Sequence, residues 1–255
     1  MEDHTRIKKR PLPTWMKAVC SKSNDGPGLS TSETKKGKFD SEDSQTLSAC
    51  DIIAQSMPFL SFPGSIIYSY NYYECANLCS DIMTTFKNQE KTAIGFDMEW
   101  PVSYKKGDKN LTSLIQMCCG NTCYLFQISA MKSLPKHLTK LILDSRVLLV
   151  GLNIESDLWK LARDFDVNVK PIFDNKCVVD ISRLANEKLK SNEHWSLEGL
   201  CRNRLGQRLD KNSDIRCGDW TEVPLRAEQK TYAAIDAYAS LLIYEHLMGA
   251  DKAMI

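Results

Sequence analysis

A chain of 255 residues with 43% hydrophobic content can build one domain with an appendage, or two small domains. A formal net charge of +1 excludes nucleic-acid binding through bulk positive charge, so any such affinity must come from local patches. No apolar run reaches the roughly 18 residues that a membrane helix needs, and Met1–Arg10 is too polar for a secretion signal.

The ten cysteines include no C-x-x-C pair; they occur singly or as Cys75/Cys79 and Cys118/Cys119/Cys123. In a chain this long and apolar they read as reduced, mostly buried small hydrophobes, which suits the cytosol or nucleus. The adjacency of Cys118 and Cys119 departs from zinc-site spacings.

The N-terminal part opens with Arg6-Ile7-Lys8-Lys9-Arg10-Pro11, which fits a nuclear import signal and equally a solvated basic tail. Pro13-Thr14-Trp15-Met16 is an apolar island. Residues 21–48 are rich in Ser, Lys, Asp, Glu, Thr and Gly and cannot bury enough surface to offset their ordering entropy, so disorder is expected there. Residues 1–56 are therefore read as a mostly disordered segment, and 57–250 as the folded domain.

Within that domain, 66–69 reads as a strand, and apolar positions 75, 78, 79, 82, 83 and 86 give a helical stripe. Residues 92–97 form a buried strand. Strands at 114–118 and 123–128 join through Gly120-Asn121, a hairpin signal. A helix with Pro135 in its first turn precedes an all-apolar strand at 147–150. Asn153 or Ser156 can cap the next helix, with its stripe of Leu158, Leu161, Ala162 and Phe165. Beyond Asp180 the pattern is helical: one helix capped by Ser196 and stopping at Gly206, then a long apolar helix from Arg226 to Met248. Strands with interleaved helices, then helices alone, predict an α/β fold: a mixed central sheet flanked by helices, with a helical C-terminal part.

Asp97 and Glu99 stand at i and i+2 at the end of a strand, so they share a face while Met98 points into the core. The pair fits a site opening to solvent or an ordinary solvated strand end. Tyr232 and Asp236, at i and i+4, share a face of an apolar helix whose flanking alanines permit close packing. An acid there needs a partner, either a metal ion or a buried hydrogen bond. Asp157 and Glu155 both lie in a first helical turn, where acids favour the helix dipole, and the local pattern does not separate them.

Together, D-M-E, N-I-E-S-D and Y-A-A-I-D resemble the three motifs of the DEDDy-type 3′→5′ exonucleases, in the RNase D and DnaQ-like superfamily. G-F-D-M-E-W-P, E-S-D-L-W-K-L, D-I-R-C and Y-A-A-I-D-A-Y are most similar to the Werner-type exonuclease domain, as are the lead-in at 58–70 and the island at 13–16. The resemblance covers about residues 57 to 248. It implies the RNase H-like (DnaQ-like exonuclease) fold and a nucleus-located enzyme of genome maintenance. It selects Asp157 over Glu155. It implies that Asp97 bridges two divalent cations, that Glu99 and Asp236 complete the first site, and that Asp157 supports the second. Tyr232, with Glu99, would orient the attacking water. Carboxylates alone suit hard Mg²⁺ or Mn²⁺.

Substrate contacts are expected from Lys105 and Lys106 in the charged 104–109 loop, from Trp159 stacking on a terminal base, and from Arg216 or Lys160 on phosphates. For the loop, a solvated surface role is the plain alternative. Expected partners are DNA 3′ ends, single-stranded or recessed, and a separate helicase; no Walker motif occurs, so a RecQ-type helicase neighbour is not expected in this chain. RNA trimming and a non-catalytic adaptor on the same fold are the rival readings.

Overall fold

The computed structural model describes residues 55–86, 91–101, 110–210 and 212–249. The basic run, the 13–16 island, the 21–48 segment and the 104–109 loop lie outside the described residues. The chain divides into a unit of residues 1–57 and a second unit, Pro58–Ile255, which carries the whole sheet.

Six strands form one mixed sheet: β1 (Ser65–Ser69), β2 (Thr92–Glu99), β3 (Leu114–Cys119), β4 (Thr122–Gln127), β5 (Val147–Gly151) and β6 (Val178–Asp180). Their spatial order is β1-β4-β3-β2-β5-β6. The β3–β4 hairpin turns at Gly120, whose φ of 55° suits a residue without a side chain. β2 pairs antiparallel with β3 and parallel with β5, and so lies at the junction of the two pairing senses.

Alternation along the strands sorts the side chains onto two faces. One face presents Ile94, Phe96, Met98, Ile115, Met117 and Phe126. It is covered by α1 (Tyr72–Thr84), α2 (Lys136–Ile142), α3 (Ile154–Phe165) and α4 (Lys170–Asp174). The opposite face presents Leu114, Cys118, Cys123 and Leu125, with Asp97, Glu99 and Gln116 in the same register. Cys119 points to the first face, away from Cys118 and Cys123, so the three thiols do not converge.

After β6 the regular elements of the described residues are helices: α5 (Ile181–Leu189), α6 (Leu197–Leu200), α7 (Ser213–Arg216) and α8 (Ala227–Gly249). α6 begins at its Ser196 cap and widens into a π-helical turn over Cys201–Leu205 before Gly206 ends it. α8 is buried on most of its circumference, which explains its near-uniform apolarity. Ala233, Ala234 and Ala237 face the sheet. A Cβ on Gly95 would lie 2.0 Å from the Ala237 carbonyl oxygen, so helix backbone rests directly on strand backbone there.

Two elements differ from expectation. The three-residue β6 and the single-turn α4 are too short for any periodicity to register. Asn153 does start α3, but in a left-handed conformation with no side-chain cap; its Oδ1 instead accepts from Ser156 Oγ at 3.0 Å.

Candidate metal centre and active site

Three carboxylates meet where β2 ends beneath α8. Asp97 and Glu99 project from the last turn of the strand's alternation toward the α8 face. The contact of Gly95 with Ala237 brings Asp236 down onto the same spot. One oxygen from each of Asp97, Glu99 and Asp236 lies within 4.8 Å of the others, and this is the one such cluster among the described residues. Tyr232 stands one turn before Asp236 and packs against Trp220.

The electrostatics follow from crowding negative charge in a dry place. Burial pushes the Asp97 carboxyl up to about 6, opposed by its backbone hydrogen bond at Met98 and by the Arg216 charge. Glu99 rises to about 10, through burial first and then the charges of Asp97 and Asp236. Asp236 rises to about 8 through burial and Asp97, opposed by the Tyr232 hydroxyl and Arg216. The Tyr232 phenol is pushed up by burial and by the Asp236 and Glu99 charges, so it stays protonated and acts as a hydrogen-bond donor.

Asp157 enters from the other layer. α3 follows β5, which runs parallel to β2, so its first turn sits at the same sheet edge. Asp157 is buried, and its carboxyl rises to about 8 through burial and then the charges of Asp97 and Asp180, with Lys160 opposing. Glu155 turns the opposite way, into a two-pronged ion pair with Arg183, the second contact being 3.2 Å. Three-dimensional placement therefore separates two acids that the local pattern left equivalent.

Of the cationic and aromatic candidates, the structure treats each differently. Arg216, the last residue of α7, is exposed, makes no ion pair among the described residues, and lowers the acidity shifts of Asp97, Glu99 and Asp236. Lys160 is otherwise engaged. Its ammonium contacts Asp164 at 2.9 Å and the Asn110 carbonyl at 2.6 Å, and lies 4.9 Å from the centre of the Trp100 ring. Asp164 also accepts from the Thr112 amide and hydroxyl, both at 2.8 Å. Lys160 is thus a strut at the entry to β3 rather than a free phosphate contact. Trp159 is 45% exposed and stacks on Phe173 at 5.4 Å and 10°. It is neither core nor unsupported. Lys105 and Lys106 lie outside the described residues.

Two features escaped sequence reasoning. Asp180 ends β6 beside Asp157 while capping α5 through Ser182 and Arg183 amides; its capping pattern was readable, its proximity was not. A cavity of about 330 Å³ opens beside Tyr232 and Asp236, walled by Leu209, Ile215, Ala227 and Ile235. It joins segments far apart in the chain, so no local signal announces it.

The donor set suits a divalent cation. It is all oxygen, crowds three acidic groups in a dry place, and offers neither Cys nor His. A metal ion bound there would relieve the repulsion that raises these pKa values.

A family model described as 3′-5′ exonuclease matches residues 70–250. The chain is 44% identical over 197 residues to the mouse bifunctional 3′-5′ exonuclease/ATP-dependent helicase WRN, covering 77% of this chain and 14% of that protein. It is 35% identical over 205 residues to a Drosophila melanogaster 3′-5′ exonuclease, covering 79% of this chain and 57% of that one. The chain thus spans a minor part of the first relative and little over half of the second. Among solved structures, the exonuclease domain of Aedes aegypti Nibbler shares the fold, with a TM-score of 0.59 and 21% identity over 76% of this chain and 94% of that one. So does Escherichia coli RNase D, with a TM-score of 0.59 and 22% identity over 74% of this chain and 45% of that one.

Proposed function

The chain belongs to the 3′-5′ exonuclease family, a family of phosphodiester hydrolases, and on that premise we propose that it removes nucleotides from DNA 3′ ends in a divalent-metal-dependent reaction. The convergence of Asp97, Glu99 and Asp236 beneath α8 carries this reading. Asp97, Glu99 and Asp236 would hold one Mg²⁺ or Mn²⁺, and Asp157 with Asp97 a second. Ions bound there would supply Lewis acidity to the phosphoryl oxygens and acidify bound water.

The chain's own residues do the rest. The protonated Tyr232 hydroxyl, facing Glu99 and Asp236, holds the attacking water in line with the scissile phosphorus. Arg216 offers its guanidinium to the phosphate on the solvent side. The apolar wall of Leu209, Ile215 and Ile235 beside Tyr232 can accept the sugar or base of the terminal nucleotide. Trp159, exposed and braced by Phe173, offers a stacking plane. DNA as substrate, a role in repair or replication, nuclear location and cooperation with a separate helicase rest on the similarity to the Werner-type exonuclease.

The test is digestion of a 3′-recessed DNA duplex with Mg²⁺ or Mn²⁺, with chelator, and with Asp97→Ala, beside single-stranded DNA and RNA of the same sequence. Metal-dependent mononucleotide release from DNA, lost with chelator and in the variant, is expected. Faster release from RNA would redirect the proposal to RNA 3′-end trimming. No release with any metal would point to a non-catalytic adaptor.

A further inference from the structure

Gln116 is the one side chain among the described residues whose two polar ends are both buried without a hydrogen-bond partner. It is 0% exposed. Buried amides in folded proteins find partners almost without exception, so an orphan calls for a reason. Its neighbour on the same face shows the contrast. Gln127, also 0% exposed, donates to the Trp220 carbonyl and to Ser129 Oγ, both at 2.7 Å.

The register says what surrounds the Gln116 amide. Along β3 it lies between Leu114 and Cys118, and across β4 it faces Leu125. Overhead, Ala233 packs on the Leu114–Leu125 side and Ala237 on the Cys118 side. None of these side chains offers a strong partner. Across β2 the residue directly opposite is Asp97. Directly opposed strand residues hold their Cβ atoms about 4.5–5.5 Å apart, within reach of a glutamine amide.

We propose that Gln116 is a positioning residue for the metal centre: its buried amide donates a hydrogen bond to the Asp97 carboxylate when a divalent ion is held, fixing that carboxylate's orientation. A carboxylate that binds metal commonly gains its orientation from such an outer partner. The assignment rests on the metal-dependent reading above and goes beyond it by naming what orients the central acid.

Thermal unfolding in chelator and across a Mn²⁺ titration tests it on the wild-type chain, Gln116→Met and Gln116→Asn. Gln116→Met replaces an orphaned amide with an apolar side chain of similar length. It should unfold in chelator within about 2 °C of wild type or above it. Its Mn²⁺ midpoint should rise about tenfold. Gln116→Asn keeps the amide but withdraws it by one methylene, and its Mn²⁺ midpoint should rise as well. A wild-type rise in unfolding temperature with Mn²⁺, matched within about twofold in midpoint by both variants, overturns the Gln116 assignment alone. A wild-type chain that gains no stability from Mn²⁺ overturns the metal reading and this one with it.

Discussion

Each acid at the centre carries a burden that its neighbours impose. Asp97, Asp157, Asp236 and Glu99 have carboxyl pKa values of about 6, 8, 8 and 10, all above the ordinary range near 4. The folded state therefore binds more protons than the unfolded chain between about pH 4 and these values. Without metal, stability should fall as pH rises through that window. Unfolding temperature in chelator is expected to be lower at pH 9 than at pH 6, and saturating Mg²⁺ or Mn²⁺ should erase most of the difference; scanning fluorimetry reads both. Asp97→Asn removes one repelled charge. It should leave metal-free stability at neutral pH unchanged or higher while cutting nuclease activity by more than about 100-fold, beyond the loss of an outer-shell partner. Arg216 and Lys160 make a contrasting pair. Arg216→Ala should raise KM for DNA several-fold with little change in unfolding temperature, since the guanidinium is exposed. Lys160→Met should instead lower stability by about 1.5–3 kcal/mol, because it leaves the Asp164 carboxylate short of a charged partner in a mostly buried place.

At the scale of elements, the decisive contact is α8 on β2. The alanines of α8 and Gly95 of β2 let two backbones touch, and this close seating helps set the height of Asp236 and Tyr232 above Asp97 and Glu99. Gly95→Ala should force α8 outward, costing about 1–3 kcal/mol of stability by denaturant titration. Activity should fall further than stability does, because misplacement by about 1 Å costs on the order of 100-fold in rate. The longer helices showed their pattern in the sequence because each buries one stripe, as in α1 and α3, or most of its circumference, as in α8. β6 did not, because three residues carry no period. The π-helical turn after α6 was also illegible, since it differs from an α-helix only in which carbonyl each amide reaches.

For the whole molecule, the sheet order β1-β4-β3-β2-β5-β6 gathers the centre at one edge. β2 and β5 run parallel, so their carboxyl ends lie side by side, and α3 and α8 approach that edge from opposite faces. Residues 57–250 hold every strand and helix of this arrangement, and a fragment of that span is expected to fold cooperatively and keep kcat/KM within about threefold. Loss of cooperative unfolding in that fragment would show that the flanking residues belong to the fold.

The chain's own periods mark the longer strands and helices, their order and the two acid pairs, since they place i with i+2 and i with i+4. Family resemblance then nominated Asp157. Which isolated residues meet depends on tertiary contacts. Among the described residues the tertiary structure drew Glu155 away to Arg183, turned Lys160 into a strut, left Arg216 without an ion pair beside the acids, and set the unpartnered Gln116 opposite Asp97. These outcomes depend on contacts between segments tens of residues apart. The register of β2 with β3 sets Gln116 opposite Asp97, and the close seating of α8 on Gly95 brings Asp236 to the same place; neither leaves a periodic trace in the chain.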